Sequence, residues 1–395
     1  MRRAIAVALT LAMLAGCVGP GSRAVPAAPP DSYEKALVAG YQSDIRVFGD
    51  SAGSGLPGDP MGRAAIRRMA DRRLDVLALS GGSDGGAYGA GVLTGWTKRG
   101  DRPEFTVVTG VSTGALIAPM AFLGSAYDER LEYFYTQTSA DDILIFRPLS
   151  VLFGATAVGD STPLRGLIEN TVTPQMVDAI AAERAKGRML LIGTTNLDAQ
   201  RQVVWDIGRI AASGQPDRVR LIRQILLASA SIPGAFPPVE IDVTIDGKPY
   251  QEMHVDGGVT RGVFAFPPGF ALPHGSGPRN LWTIRNNKLA PEYAAVGQNA
   301  LAISATSVGT LIKSQARGDI QAMRAQARAE GFTFHLAAVP PDFPRAPNTP
   351  FDTKYMRALF STGQKQILSG QAWRKLPDQL MAPAVPRQPQ PAAEG

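Results

Sequence analysis

Hydrophobic residues recur along this chain in two rhythms. Short, nearly solid apolar runs occur at residues 74–79 (LDVLAL), 105–109, 188–194 (RMLLIGT), 202–207, 280–285 and 332–337. A run that is apolar on both of its sides suits a strand buried on both faces, as in a parallel sheet. Between the runs lie stretches with helical spacing. Residues 87–98 end in Lys98 and Arg99, with Gly100 as the stop signal. Residues 115–123 are small and apolar, and residues 217–231 place Val219, Ile222, Ile225, Leu226 and Ala230 on one side. Residues 294–329, long enough for two helices, and 351–368 complete the helical set. The order strand, helix, strand, helix from residue 74 onward predicts an α/β fold, a three-layer sandwich with a central mostly parallel sheet between helices.

One pair of strands has a different signature. Residues 239–245 and 249–255 flank Asp246-Gly247, a hairpin turn signal. Ahead of residue 74, residues 32–41 read as a short helix, 44–48 as an extended arm, 51–59 as a glycine loop and 61–73 as a basic surface helix. Residues 32–73 are therefore expected to form an N-terminal helical extension, and 74–381 the main domain. Residues 128–160 are mixed and fit a lid or an insertion.

The two ends change the picture. Met1-Arg2-Arg3 is basic, and residues 4–14 are apolar. That apolar stretch is well short of the ~20 residues that span a bilayer. Leu14-Ala15-Gly16-Cys17 follows and resembles the lipobox of bacterial lipoproteins. The resemblance implies a signal peptide over 1–16 and lipidation of Cys17. The alternative is an ordinary secretory signal with an incidental cysteine. Val18 stands where an aspartate would favour inner-membrane retention, which points to the outer membrane, facing the periplasm. Residues 17–31 are rich in Pro, Gly and Ala and read as a flexible tether, and 382–395 as a disordered tail.

Composition narrows the function classes. At 45% apolar and 19% charged residues the chain is an ordinary globular protein. Loss of Arg2 and Arg3 leaves 38 basic against 34 acidic residues, a mild +4. With no dense Lys/Arg run, nucleic acid is excluded as a partner, and a weak attraction to anionic lipid remains. Cys17 is the only cysteine, so no internal disulfide can form.

The candidate chemistry begins where residues 105–109 run into Gly110-Val-Ser112-Thr-Gly114, followed by a helix. A serine at the centre of G-x-S-x-G between strand and helix sits on a nucleophile elbow. The helix that starts beside it aims its positive dipole end at the site. The bland alternative is a glycine-rich turn that happens to hold a serine. A serine nucleophile needs a base. The histidines are His254, His274 and His335. Chain order would leave His274 or His335 for a Ser-His-Asp triad, yet neither has a loop-at-strand-end setting. His254-Val-Asp256-Gly257-Gly258 ends a strand in glycines, so Asp256 can project into a site. An aspartate within hydrogen-bond reach of Ser112 can act as base if burial raises its pKa from ~3.9. No cluster of His, Asp or Glu has metal-ligand spacing, and no metal or cofactor is expected. Phe236, Phe264 and Phe266 are candidates to line an acyl pocket, although such aromatics more often pack a core.

Gly81-Gly82-Ser83-Asp84-Gly85-Gly86, then Gly110-x-Ser112-x-Gly114, then Asp256-Gly257-Gly258, stand in one order. ASASIPGAFPP over residues 228–238 precedes the aspartate. Together these resemble the patatin-like phospholipases across residues 74–262, and the GAGVL that follows the first loop is similar to bacterial lipoprotein members. The resemblance implies a patatin-like fold and a Ser–Asp dyad without histidine: Ser112 attacks the ester, and Asp256 takes the proton. It implies an acyl-enzyme and an oxyanion hole from the amides of Gly81, Gly82 and Ser83, aided by the helix N-terminus at Ala87. It implies a lipid substrate met at a membrane surface, with phospholipase A or lysophospholipase activity. A carboxylesterase or thioesterase on smaller esters, and a weakly active envelope binding lipoprotein, are the alternatives. Two positions depart from the pattern. Ser83 replaces the usual third glycine, and Gly85 replaces the usual Arg or Lys.

Overall fold

The structure, a computed structural model, describes residues 23–42, 45–51, 73–147, 156–266, 276–293, 295–347 and 349–373. The signal, Cys17, the start of the tether, nearly all of the basic stretch at 61–73, His274 and the tail lie outside the described residues. In chain order the elements are strands β1 (Leu37–Val38), β2 (Arg46–Phe48) and β3 (Leu74–Leu79), helix α1 (Gly86–Arg99), β4 (Val107–Val111), α2 (Thr113–Leu123), α3 (Asp128–Thr136), β5 (Ile145–Phe146), β6 (Gly159–Asp160), α4 (Thr162–Thr171) and α5 (Pro174–Ala185). There follow β7 (Met189–Asn196), β8 (Arg201–Asp206), α6 (Ile207–Ala212), α7 (Arg218–Ser229), β9 (Val239–Ile245), β10 (Lys248–Asp256), β11 (Arg279–Arg285), α8 (Ala300–Ala329), β12 (Thr333–Ala338) and α9 (Thr353–Leu368).

Ten strands form one sheet in the order β1-β9-β10-β7-β4-β3-β11-β12, with β8 on β7 and β2 on β8. The run β7-β4-β3-β11-β12 is parallel throughout. The strands outside it pair antiparallel. The solid apolar character of the central strands follows from burial on both faces. Leu77, Leu79, Val108 and Ile192 join one core with residues of α1, α2, α5 and α7. Val76, Ala78, Val107 and Leu191, one residue out of phase, join the other with Val263, Phe264 and the α8 residues Ile320, Met323 and Ala327. Each such fully buried aliphatic side chain contributes roughly 2 kcal/mol. The aspartate inside β3 is tolerated because its charge is answered. Asp75 accepts from Trp282 Nε1 at 2.8 Å and Asn280 Nδ2 at 3.1 Å, and pairs with Arg73.

The expectations for the N-terminal part need correction. The described part of residues 32–51 is not a helical extension. A single 3₁₀ turn, Tyr33–Lys35, is followed by β1, whose Val38 pairs with Val243 at the sheet edge, and by β2 on β8. Edge pairing satisfies the backbone there and buries Val38 and Val47. The end of the tether is also held: Pro26 accepts from the Gln251 amide at 3.0 Å, and Arg23 pairs with Asp198 at 2.6 Å. Residues 161–185 carry two helices, α4 and α5, for which the sequence reading had no element. The Asp246-Gly247 hairpin is as expected, with φ of 50° and 76° at the two turn residues. The long helical region expected over 294–329 is a single helix, Ala300–Ala329. Among the described residues no helix is long and apolar enough to cross a membrane.

Candidate active site

Parallel register assembles the site. Leu79 of β3 lies beside Gly110 of β4, so the loop after β3 and the turn after β4 emerge together at the carboxyl edge of the sheet. On the other side, Val111 lies beside Gly193 of β7, and Asp256 pairs with Thr194 of the same strand. Ser112 and Asp256 are thereby set one strand apart.

Ser112 occupies the elbow between β4 and α2 at φ 55°, ψ −127°, a conformation that side chains other than glycine adopt only under constraint. The constraint is packing. A Cβ at Gly110 would lie 2.5 Å from the Gly114 carbonyl oxygen, and one at Gly114 would lie 2.4 Å from the Leu79 carbonyl oxygen. Only glycine at both positions lets helix and strand close this tightly. The Ser112 amide donates to Ser229 Oγ at 3.0 Å, and Ser229 Oγ donates to the Gly193 carbonyl at 2.7 Å. Two residues on, the Ser231 carbonyl accepts from the Asp256 amide at 2.9 Å. The ASAS segment at the C-terminal end of α7 thus ties the serine to the aspartate. Sequence reading had marked this motif without assigning its residues a role.

Asp256 is buried, its carboxyl accepts from the Gly258 amide at 2.7 Å, and the Ser112 side chain is near enough to act on its pKa. Burial pushes its pKa up to about 6, and the Ser112 side chain and the Gly258 amide oppose the rise. Gly257 and Gly258 form the 3₁₀ turn that lets that amide fold back on the carboxylate.

Among the described residues, the histidines are committed elsewhere. His254 is buried between Thr194 Oγ1 at 2.9 Å and Glu252 Oε2 at 3.0 Å. Burial would raise the Glu252 carboxyl, but Arg46 and the His254 and Arg46 hydrogen bonds hold it down at about 2. His335 stacks on Trp282, with ring centroids 3.7 Å apart, and bonds Asn280 Oδ1.

The glycine loop differs from expectation at one donor. The Gly81 amide donates to the Gly262 carbonyl at 3.0 Å and is spent. The Gly82 and Ser83 amides remain as candidates for an oxyanion. Ser83 stands at φ 55°, so it holds the left-handed backbone without glycine's freedom. Gly85 has a steric reason: a Cβ there would lie 2.1 Å from the Asn286 carbonyl oxygen, which leaves no room for the Arg or Lys of the family pattern. Gly86 opens α1.

Two spaces meet at Ser112 and Ser83. One is a narrow apolar slot of about 40 Å³ lined by Leu116, Phe134, Ile143, Leu164, Phe236 and Met356, among others. The other is a cavity of about 800 Å³ that holds Asp256, Gly82, Arg285, Lys288, Glu292 and Lys313 along its wall. Lys288 and Lys313 share Glu292, at 2.7 and 3.8 Å, and with Arg285 they face the acidic groups Asp84, Asp256 and Glu292 of the same wall. Phe236 lines the slot as expected. Phe264 and Phe266 do not: they pack the core beneath α8. Among the described residues no cluster of three or more His, Cys, Asp or Glu could hold a metal ion.

Residues 77–267 match the family model described as patatin-like phospholipase, and the fold is the patatin-like α/β sandwich. The matched stretch runs from β3 to just past Phe266 and contains the elbow, the ASAS segment and Asp256. Among solved structures the chain is similar to VipD from Legionella pneumophila, at 12% identity and a TM-score of 0.34, over 76% of this chain and 67% of VipD. It is also similar to the type III effector protein ExoU, at 13% identity and a TM-score of 0.32, over 77% of this chain and 54% of ExoU. No curated protein matches it.

Proposed function

We propose that the protein is a lipid acyl hydrolase of the phospholipase A or lysophospholipase type that works through Ser112 and Asp256. The observation that carries the reading is a buried carboxyl, moved by burial to about pKa 6, that shares one cavity wall with the elbow serine and whose pKa the Ser112 side chain lowers. Such a carboxyl takes a proton at neutral pH far better than an ordinary aspartate. Ser112 Oγ attacks the ester carbonyl as its proton passes to Asp256. The Gly82 and Ser83 amides and the N-terminus of α1 receive the oxyanion. The alcohol leaves with that proton, and an acyl-enzyme remains. Water, deprotonated by Asp256, then releases the fatty acid and restores the serine. The slot suits the acyl chain, and the wide cavity suits the rest of the lipid.

The test is fatty-acid release from mixed phospholipid vesicles and from a short p-nitrophenyl ester, both with chelator present. Release from the vesicles at undiminished rate with chelator is expected. A specific observation favours a second reading, a carboxylesterase or thioesterase on smaller esters. The slot as it stands, about 40 Å³, holds only a few methylenes. Turnover of the short ester with none from vesicles would select that reading, and turnover of neither would remove both.

We also propose that Cys17 is lipidated and anchors the protein in the outer membrane on its periplasmic side, so that the site meets its substrate at a membrane surface. Support comes from the lipobox-like residues Leu14 to Cys17. Cys17→Ser is expected to move the protein from the detergent phase to the aqueous phase on phase partition. Equal partition of the two forms would dismiss the anchor.

A further inference from the structure

The Gly81 residue is gripped on both its amide and its carbonyl. Its N–H goes to the Gly262 carbonyl at 3.0 Å. Its carbonyl accepts from the Ser80 hydroxyl at 2.7 Å and from the Arg285 guanidinium at 3.3 Å. Ser80 Oγ in turn accepts from the Asn286 amide at 2.9 Å, and Asn286 Nδ2 donates to the Ser80 carbonyl at 2.7 Å. The register of β11 with β3, Ile284 beside Leu79, brings this pair of residues to the start of the glycine loop.

Arg285 is 3% exposed and lines the cavity that contains Ser112. Holding a guanidinium there is expensive without full compensation. Its Nε has no hydrogen-bond partner. Asp319 attracts it, but that carboxylate is also engaged by the Gly262 amide at 2.8 Å, and Arg317 opposes the charge. Burial lowers its pKa to about 10, which still leaves it charged at neutral pH.

We infer that Arg285 is a positioning residue for the oxyanion: it orients and polarises the Gly81–Gly82 peptide so that the Gly82 N–H becomes a stronger donor. Within a trans peptide the oxygen and the N–H point in opposite directions. A cation on the Gly81 oxygen therefore leaves the Gly82 N–H free to face the cavity and more positive. Ser80, relayed from Asn286, adds a second pull on the same oxygen. The gain is largest when charge has developed on the substrate oxygen, so it appears in kcat and not in substrate binding. The inference rests on Ser112 being the nucleophile.

The test uses the full chain on a short p-nitrophenyl ester, with kcat expressed per site labelled by a fluorophosphonate so that misfolded protein does not count. Arg285→Met is expected to lower kcat by roughly ten- to a hundredfold, less than the loss of a direct oxyanion donor, with KM changed by less than about twofold. Arg285→Lys should recover part of the loss, and added guanidinium ion should recover part in Arg285→Ala. Ser80→Ala, which leaves the arginine in place, should lower kcat by roughly threefold or more at constant KM. Unchanged kcat per labelled site in Arg285→Met, or in Ser80→Ala should the arginine variants not fold, overturns the inference. A rise in KM alone also overturns it, by making Arg285 a substrate contact. Ser112→Ala, which takes no label and is therefore compared per total folded protein, is run beside these. If it keeps its turnover, the nucleophile reading itself has failed; if it is dead while Arg285→Met is normal, only the arginine inference has failed.

Discussion

Alanine at position 112 is expected to lower ester turnover by about 10⁴-fold or more and to abolish fluorophosphonate labelling, while the protein stays folded. The substitution removes the Oγ that attacks, so only the oxyanion donors and binding remain. It leaves the elbow intact, because the packing of Gly110 and Gly114 and the bond from the residue 112 amide to Ser229 do not need the hydroxyl. Asp256→Asn keeps the shape of the side chain but cannot take a proton. A general base is worth about 10²–10⁴ in rate, so this variant should lose turnover within that range. The two losses belong to one proton transfer, so the double variant should be no slower than Ser112→Ala alone. Turnover that survives in Asp256→Asn would return attention to the histidines. Of these, His254 and His335 already have other partners.

What made this site readable in the sequence was its local chemistry. Residues 74–79 are β3 to the residue, because burial on both faces leaves no alternation to misread. The elbow was legible because a strand, two glycines and a helix must follow one another in the chain. Asp256 was legible because glycines follow it directly. The parts that escaped depend on distant pairings. Nothing near residue 81 says that Gly262 will take its amide. Nothing near residue 285 says that a β11 arginine will reach the glycine loop. Both follow from β3 lying between β4 and β11, with partners about 180–200 positions away. Phe236 and Phe264 look alike in sequence, yet one lines the slot and the other the core, because the chain crosses the sheet plane between them. Residues 32–41 misled for a related reason. Helix-compatible residues became an edge strand because the Val243 side of β9 offered unpaired backbone.

The carboxyl at position 256 should also write itself into the pH dependence, and in two quantities of opposite sign. For catalysis the base must be ionised. With a pKa of about 6 in the free protein, kcat/KM should rise about tenfold per pH unit below 6 and level off above it. An unshifted aspartate would leave the profile flat above pH 5. For stability the direction is reversed. The folded state holds the proton up to about pH 6, whereas the unfolded chain releases it near 3.9. The contribution of Asp256 to stability is therefore fully present below about 3.9 and is lost as pH rises through 6. A shift of about two units corresponds to a penalty on the order of 3 kcal/mol at pH 8. Asp256→Asn removes the ionisation, so the inactive variant should be more stable than the parent at pH 8, and the two should converge near pH 4. Denaturant unfolding of both proteins at the two pH values reads this directly. A difference that is the same at both would mean that the carboxyl is not raised in the fold. The rising limb of kcat/KM would then have to come from another group. The predicted trade also gives the buried carboxylate its physical rationale: the desolvation that weakens the fold at neutral pH is what brings an aspartate into the range where it can act as a base.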